Sequence, residues 1–243
     1  MTDNLILHER DGEFTRITIN RADVGGLMSD AMAAELTGMI DKAATESKAI
    51  LVASAGDDFC LGRDPAGRPG SPPKDPMEHR ERSEVVFNFY GAFRRAPVPV
   101  VGLVQGRALG FGCAMAALFD ITIAAEGARF ALPEMGHNIM PTMAMSSMVD
   151  RVGYKGLVYL TYSTAEIDAK TALAFGLVSQ VVPDGELVSA GDTLLGALAK
   201  APLPALRAVK EFARAANGID IAKVTDFAKN MHAAVNMSAA MKG

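Results

Sequence analysis

Glu134 is the residue whose setting best suits chemistry. It follows a proline at the end of an apolar run and precedes MGHNIMP, a mainly apolar stretch. A carboxylate so placed loses water, and lost hydration raises its pKa toward values useful for moving protons. A solvated loop glutamate or a helix-end cap is the competing reading, and residue chemistry alone leaves both open. The second feature is GRALGFG at 106–112, set between a strand-like VPVVGLV (98–104) and a short apolar helix at 113–118. Strand, glycine turn and helix suit an anion, because unpaired N–H groups at a helix start point toward it. Gly106, Gly110 and Gly112 are spaced GxxxGxG, which is not the GxGxxG of a dinucleotide site, and no P-loop Lys-Ser/Thr follows. What survives is a place for the amides near Phe111 to stabilise an oxyanion.

Other chemistries find no support. His8, His79, His137 and His232 are scattered, with no HExxH and no His/Cys cluster, so no metal site is expected. There is no GxSxG elbow, and Ser54 in VASAG stands in a different frame. Cys60 and Cys113 are the only cysteines and form no CxxC pair, which fits a reducing, cytoplasmic setting. Net charge is −4 without a long run of one sign, so nucleic acid is not an expected partner. Apolar runs stop well short of the ~20 residues that span a bilayer, and MTDNLILHER does not read as a signal peptide. No membrane partner is expected either.

The elements that must position these residues follow from periodicity. Leu5–His8 and Phe14–Ile19, separated by Asp11-Gly12, read as a hairpin. Ser29 caps a helix whose apolar stripe is Met32, Leu36, Met39, Ile40 and Ala43. Residues 49–53 are a buried strand, and 63–82, rich in Arg, Pro, Gly and mixed charge, are expected to be a mobile surface loop. A helix with Val86, Phe89, Tyr90 and Phe93 on one face comes next. Strands at 121–125 and 128–132 lead to a loop beginning at Pro133-Glu134. Helices are expected at 142–151, 155–162, 168–175, 184–200 and 203–215, and one strand at 177–182. A last helix carries Val224, Phe227, Ala228, Met231 and Val235 on one stripe. With 243 residues and 49% hydrophobic content, this is an ordinary globular chain. No linker divides it into independent domains.

Three segments, in order, resemble the signatures of the crotonase family, also called the enoyl-CoA hydratase/isomerase family. FCLGRD (59–64) is similar to the first, PVPVVGLVQGRALGFGCAMAALFDITIAA (97–125) to the longest, and FALPEMGHNIMP (130–141) to the third. NRADVGGLMSDAM (20–32) and AKTALAFGLVSQVVP (169–183) also read like family segments. The resemblance implies an α/β fold: a crotonase-like spiral of β-β-α units with two roughly perpendicular sheets, then a C-terminal helical trimerisation region. The spiral core would occupy 1–183 and the helical region 184–243 of the same unit. It implies an acyl-CoA thioester as substrate, with no cofactor beyond the coenzyme A that the substrate carries, and a homotrimer or dimer of trimers. Two backbone N–H groups, of Arg63 after Gly62 and of Phe111, would hold the thioester oxygen. Glu134 would carry the proton, and Arg63, Asp64, Pro65 and Ala66 would lie along the CoA arm.

The chain departs from the family pattern at informative places. Hydratases of the family use two glutamates, and here the first position is Ala114. One carboxylate suffices to move a proton along a dienolate, whereas hydration asks one group to activate water and another to deliver a proton. The pattern therefore favours double-bond isomerisation over hydration, with a catalytically silent acyl-CoA-binding member as a reading of another class. His137 is a candidate to line the pocket in place of the missing acid, and Asn138 stands where many members have glycine. Thr142 is not the nucleophilic aspartate of aryl-CoA dehalogenases. The chain stops at MSAAMKG, where relatives continue with a further helix that helps cover CoA, so weakened closure of the site is an expectation.

Overall fold

The computed structural model describes residues 4–67 and 71–241. The chain opens with the hairpin β1 (Ile6–Asp11) and β2 (Phe14–Ile19), paired antiparallel. The turn falls on Gly12-Glu13, one residue later than Asp11-Gly12, because Asp11 still pairs with Phe14 and Gly12 supplies the positive φ of 57°. Helix α1 (Asp30–Glu46) starts where Ser29 accepts the Met32 N–H, and it buries Met32, Leu36, Ile40 and Ala43. Then follow β3 (Ala49–Ser54), α2 (Pro76–Arg95), β4 (Val100–Val104), β5 (Arg107–Leu109) and α3 (Phe111–Leu118). Strands β6 (Ile121–Ala125) and β7 (Arg129–Ala131) precede a 3₁₀ turn at Pro133–His137 and helices α4 (Thr142–Met148) and α5 (Tyr154–Ser163). The rest is β8 (Ile167–Asp168), α6 (Ala169–Phe175), β9 (Gln180–Val182), α7 (Leu187–Ala199), α8 (Leu203–Ala216) and α9 (Ile221–Asn236).

Among the described residues, two sheets carry the architecture. The six-stranded one runs β1-β2-β3-β4-β6-β9 and is parallel from β2 onward; the three-stranded one runs β5-β7-β8. Each turn of the chain sends a long strand to the first sheet, a short one to the second, and then a helix. β4, β5 and α3 make one such unit, and β6, β7 and α4 the next. In the unit before them, a single parallel bridge from Cys60 to Ala108 stands in for the short strand between β3 and α2. The expected β-β-α spiral is therefore present. Its main core is packed by α1, α2 and α3 around Phe59, Phe89, Phe93 and Met115. A smaller core with Leu51, Leu103, Ile123 and Leu195 lies under α7.

Several boundaries differ from expectation, for local reasons. Helix α2 begins at Pro76, inside the segment read as loop. Asp75 accepts the Met77 and Glu78 N–H groups and Pro76 occupies the first turn, so a strong start signal outweighs the charged composition. Residues 68–70 of that same segment lie outside the described residues. Strand β4 begins at Val100, since Pro99 cannot donate to a ladder. Helix α4 ends at Met148, and β9 starts only at Gln180. The short strands β5 and β8, of three and two residues, lack the length to show a period.

The C-terminal helices are held at one deep point. Lys210 of α8 places Nζ 2.6 Å from Asp120 and 3.0 Å from the carbonyls of Phe93 and Val98. Helix α9 rests on α8 through Phe212 and Phe227, whose rings stack 5.5 Å apart. None of its residues is fully buried, and Val224, Phe227, Ala228, Met231 and Val235 are half-buried.

Candidate active site

Parallel register builds the site. Cys60 bridges Ala108, and Ala108 pairs with Phe130, all in parallel. Neighbouring strands lie about 4.8 Å apart, so whatever follows each of these residues is delivered to one shared edge. Those followers are Gly62-Arg63, Gly110-Phe111 and Pro133-Glu134. All six line a single cavity of about 1130 Å³.

The two amides are free for a defined reason. Met28 donates to the Gly62 carbonyl at 3.0 Å and accepts from Asp64 N at 2.8 Å, a parallel bridge centred on Arg63. In such a bridge the central residue's own N–H points to the opposite side. Phe111 is the first residue of α3, capped by Gly110 without any side-chain bond. A first-turn N–H has no intrahelical acceptor. Among the described residues neither the Arg63 nor the Phe111 N–H has a backbone acceptor. Gly62 (φ 127°) and Gly110 (φ 51°) hold conformations that side chains disfavour. A Cβ at Gly110 would also lie 3.0 Å from Glu134 Oε1. Gly110 thus lets the carboxylate approach the start of α3.

Glu134 is half-buried, and its Oε2 is buried without a hydrogen-bond partner. Burial pushes its carboxyl above the ordinary glutamate value, against smaller opposing effects from its own backbone N–H and from His137. His137 is among the residues that line the cavity and is itself exposed. Asn138 adopts a left-handed conformation (φ 59°, ψ 32°) and its N–H closes the 3₁₀ turn onto Glu134 and Met135. That geometry explains how asparagine substitutes for glycine there.

Of the residues expected along the CoA arm, Arg63 lines the cavity and Asp64, Pro65 and Ala66 follow it in the chain. Asp64 is ion-paired to Arg21 at 2.7 Å and accepts the Ala66 N–H at 2.9 Å. The Arg63 side chain is tied to Asp30, leaving its buried Nε unpaired. Ala114 is fully buried and is not part of the cavity wall. Sequence reading missed the wall supplied by α2, where His79, Ser83, Phe87 and Tyr90 face the cavity. Its one signal was Tyr90, a polar-tipped ring in an otherwise apolar stripe.

Two backbone N–H groups without backbone acceptors and a partly desolvated carboxylate thus share one cavity on a spiral of β-β-α units. The sequence pattern of the enoyl-CoA hydratase/isomerase family matches residues 9–243. The chain belongs to that enzyme family. It is 30% identical over 192 residues to the crotonyl-CoA hydratase of Syntrophomonas wolfei, covering 76% of this chain and 72% of that one. It is 29% identical over 198 residues to the short-chain-enoyl-CoA hydratase of Clostridium acetobutylicum, with the same two coverages. The crystal structure of an enoyl-CoA hydratase from Mycobacterium smegmatis superposes with a TM-score of 0.90 at 23% identity, over 98% of this chain and 93% of that one, a likeness of fold.

Proposed function

We propose that this enzyme shifts a double bond in an acyl-CoA thioester, with Glu134 carrying the proton. The Arg63 and Phe111 N–H groups receive the thioester oxygen. Glu134 takes a proton from C2 of a 3-enoyl thioester, and the C–H electrons pass into a dienolate whose charge rests on that oxygen. The same carboxyl returns the proton to C4, giving the conjugated 2-enoyl thioester. The observation that carries this reading is the solitary carboxylate: the position of the first family glutamate is Ala114, sealed in the core. Incubation with a 3-enoyl-CoA is expected to raise the absorbance of the conjugated thioester, and no rise removes the assignment.

Hydration of a 2-enoyl-CoA is the second reading, favoured by the hydratase names of the relatives. Rapid formation of a 3-hydroxyacyl-CoA from the 2-enoyl thioester would give it precedence. The half-exposed apolar stripe of α9 supports self-association into a homotrimer or a dimer of trimers. Light scattering that returned the 25.6 kDa mass of one chain would exclude both.

A further inference from the structure

The Arg63 amide stands on a segment with little regular structure to hold it. Between the Cys60–Ala108 bridge and the start of α2 at Pro76, the described residues contain only a 3₁₀ turn at Pro65–Gly67. Gly62, just before the amide, adds backbone freedom. The segment is held instead against residues 21–30, which lead into α1. The Leu61 N–H reaches the Gly25 carbonyl at 2.9 Å, beside the two backbone bonds to Met28.

Two ion pairs cross that contact in opposite senses. Arg21 Nη1 lies 2.7 Å from Asp64 and also donates to the Leu27 carbonyl at 3.2 Å, so one nitrogen touches both sides of the bridge. From the far side of Met28, Asp30 receives the Arg63 guanidinium. Residues 63 and 64 are thus gripped from both flanks. The four side chains keep between 13% and 26% of their surface exposed, so water and salt screen these pairs less than open surface pairs. Asp30 is itself fixed: it is the first residue of α1, next to the Ser29 cap, and α1 is packed into the main core. Arg63 keeps its place although its buried Nε has no hydrogen-bond partner among the described residues. An arginine serving solubility alone would turn that donor to water, because a buried donor left unpaired is unfavourable.

We propose that Arg21 and Asp30 are positioning residues of this site: their crossed ion pairs to Asp64 and Arg63 hold the Arg63 N–H where it meets the thioester oxygen. The inference rests on the acyl-CoA reading with two amide donors. Neither Arg21 nor Asp30 is among the residues that line the cavity; both act through residues 63 and 64. Such a donor works only within about 2.7–3.1 Å of the place where the oxyanion forms, and a misplacement of about 1 Å can cost on the order of 10²-fold in rate.

Infrared difference spectra of bound butyryl-CoA, carbon-13 labelled at the thioester carbonyl, read the bonds to that oxygen directly. On the wild-type protein the carbonyl band is expected to move to lower frequency. Asp30→Ala and Arg21→Met are each expected to lose part of that shift. Each should also lower kcat about tenfold, less than the ~10²–10³-fold of a donor removed outright, with KM within about twofold. The substrate is 3-hexenoyl-CoA or 2-butenoyl-CoA, whichever the wild type turns over. Asp30→Glu, which still reaches Arg63, should restore both band and rate, and Asp30→Asn carries the comparison if Asp30→Ala does not fold. Lower stability by itself moves neither the band of the bound thioester nor the kcat of the folded protein. A full shift that persists in the variants, or kcat lost with the band unchanged, overturns the proposal alone. An unmoved band on the wild type overturns the two-amide reading, and the proposal with it.

Discussion

Glu134 is partly withdrawn from water and lacks a hydrogen-bond donor for one oxygen, whereas the proposed role as a base requires it to ionise. Because burial raises its pKa, the working carboxylate is lost at a higher pH than an ordinary glutamate would show. The acid limb of the pH–rate profile is therefore expected above the usual carboxylate range, and a limb at an ordinary glutamate value would contradict the assignment. Glu134→Gln should lower exchange of the α-proton in deuterated water by about 10²–10⁴-fold. The same shift has a sign for stability. The folded chain binds this proton more tightly than the unfolded chain, so the contribution is complete below the unfolded pKa and is lost as pH rises through the folded one. Glu134→Gln is thus expected to melt at a higher temperature than wild type at neutral pH. Thermal melts at acidic and neutral pH check it, with the gap narrowing in acid.

At the scale of elements, the site depends on how closely α3 lies against the chain at 60–63. Gly112 makes that approach possible: a Cβ there would stand 2.1 Å from the Cys60 carbonyl oxygen. Gly112→Ala must separate α3 from the segment that carries the Arg63 amide. Loss of one such donor reduces kcat by about 10²–10³-fold, and overpacking of this kind destabilises by about 1–3 kcal/mol. Steady-state rates together with urea unfolding should show activity falling more than stability. Helix α2 makes a related point. Its apolar stripe was legible in the residue spacing, and Val86, Phe89 and Phe93 are fully buried as that stripe requires. Tyr90 belongs to the same stripe but also borders the cavity, beside Phe111 at the start of α3. Periodicity tells which side of a helix is covered, and it is silent on whether the cover is protein or ligand.

At the scale of the molecule, Lys210 joins the C-terminal helices to the spiral. Burial lowers its pKa despite the ion pair with Asp120, and its ammonium is also held by two carbonyls. Lys210→Met leaves Asp120 without that cation, although the Val100 N–H still reaches it at 2.8 Å. The pair is only partly buried and Arg151 remains 3.7 Å from Asp120, so the cost is expected to fall below the ~3–5 kcal/mol of a broken fully buried pair. The urea midpoint should fall accordingly, while the unfolding slope stays near wild type if the whole chain still unfolds together.

Local chemistry along the chain was enough to establish the Ser29 cap, the α1 stripe, the turn near Gly12 and the helix after the glycines, and it left the setting of Glu134 open between solvated and desolvated. Each depends on residues a few positions apart, where backbone sterics and side-chain hydrogen bonds act. Resemblance of motifs supplied the expected spiral. Tertiary structure alone decided that Asp64 pairs with Arg21, that Tyr90 lines the same cavity as Glu134, and that Ala114 is sealed in the core. It also set the shared edge at which residues 63, 111 and 134 meet. That edge is created by parallel pairing of short strands far apart in the chain, and strands of two or three residues leave no periodic trace by which their partners could be read.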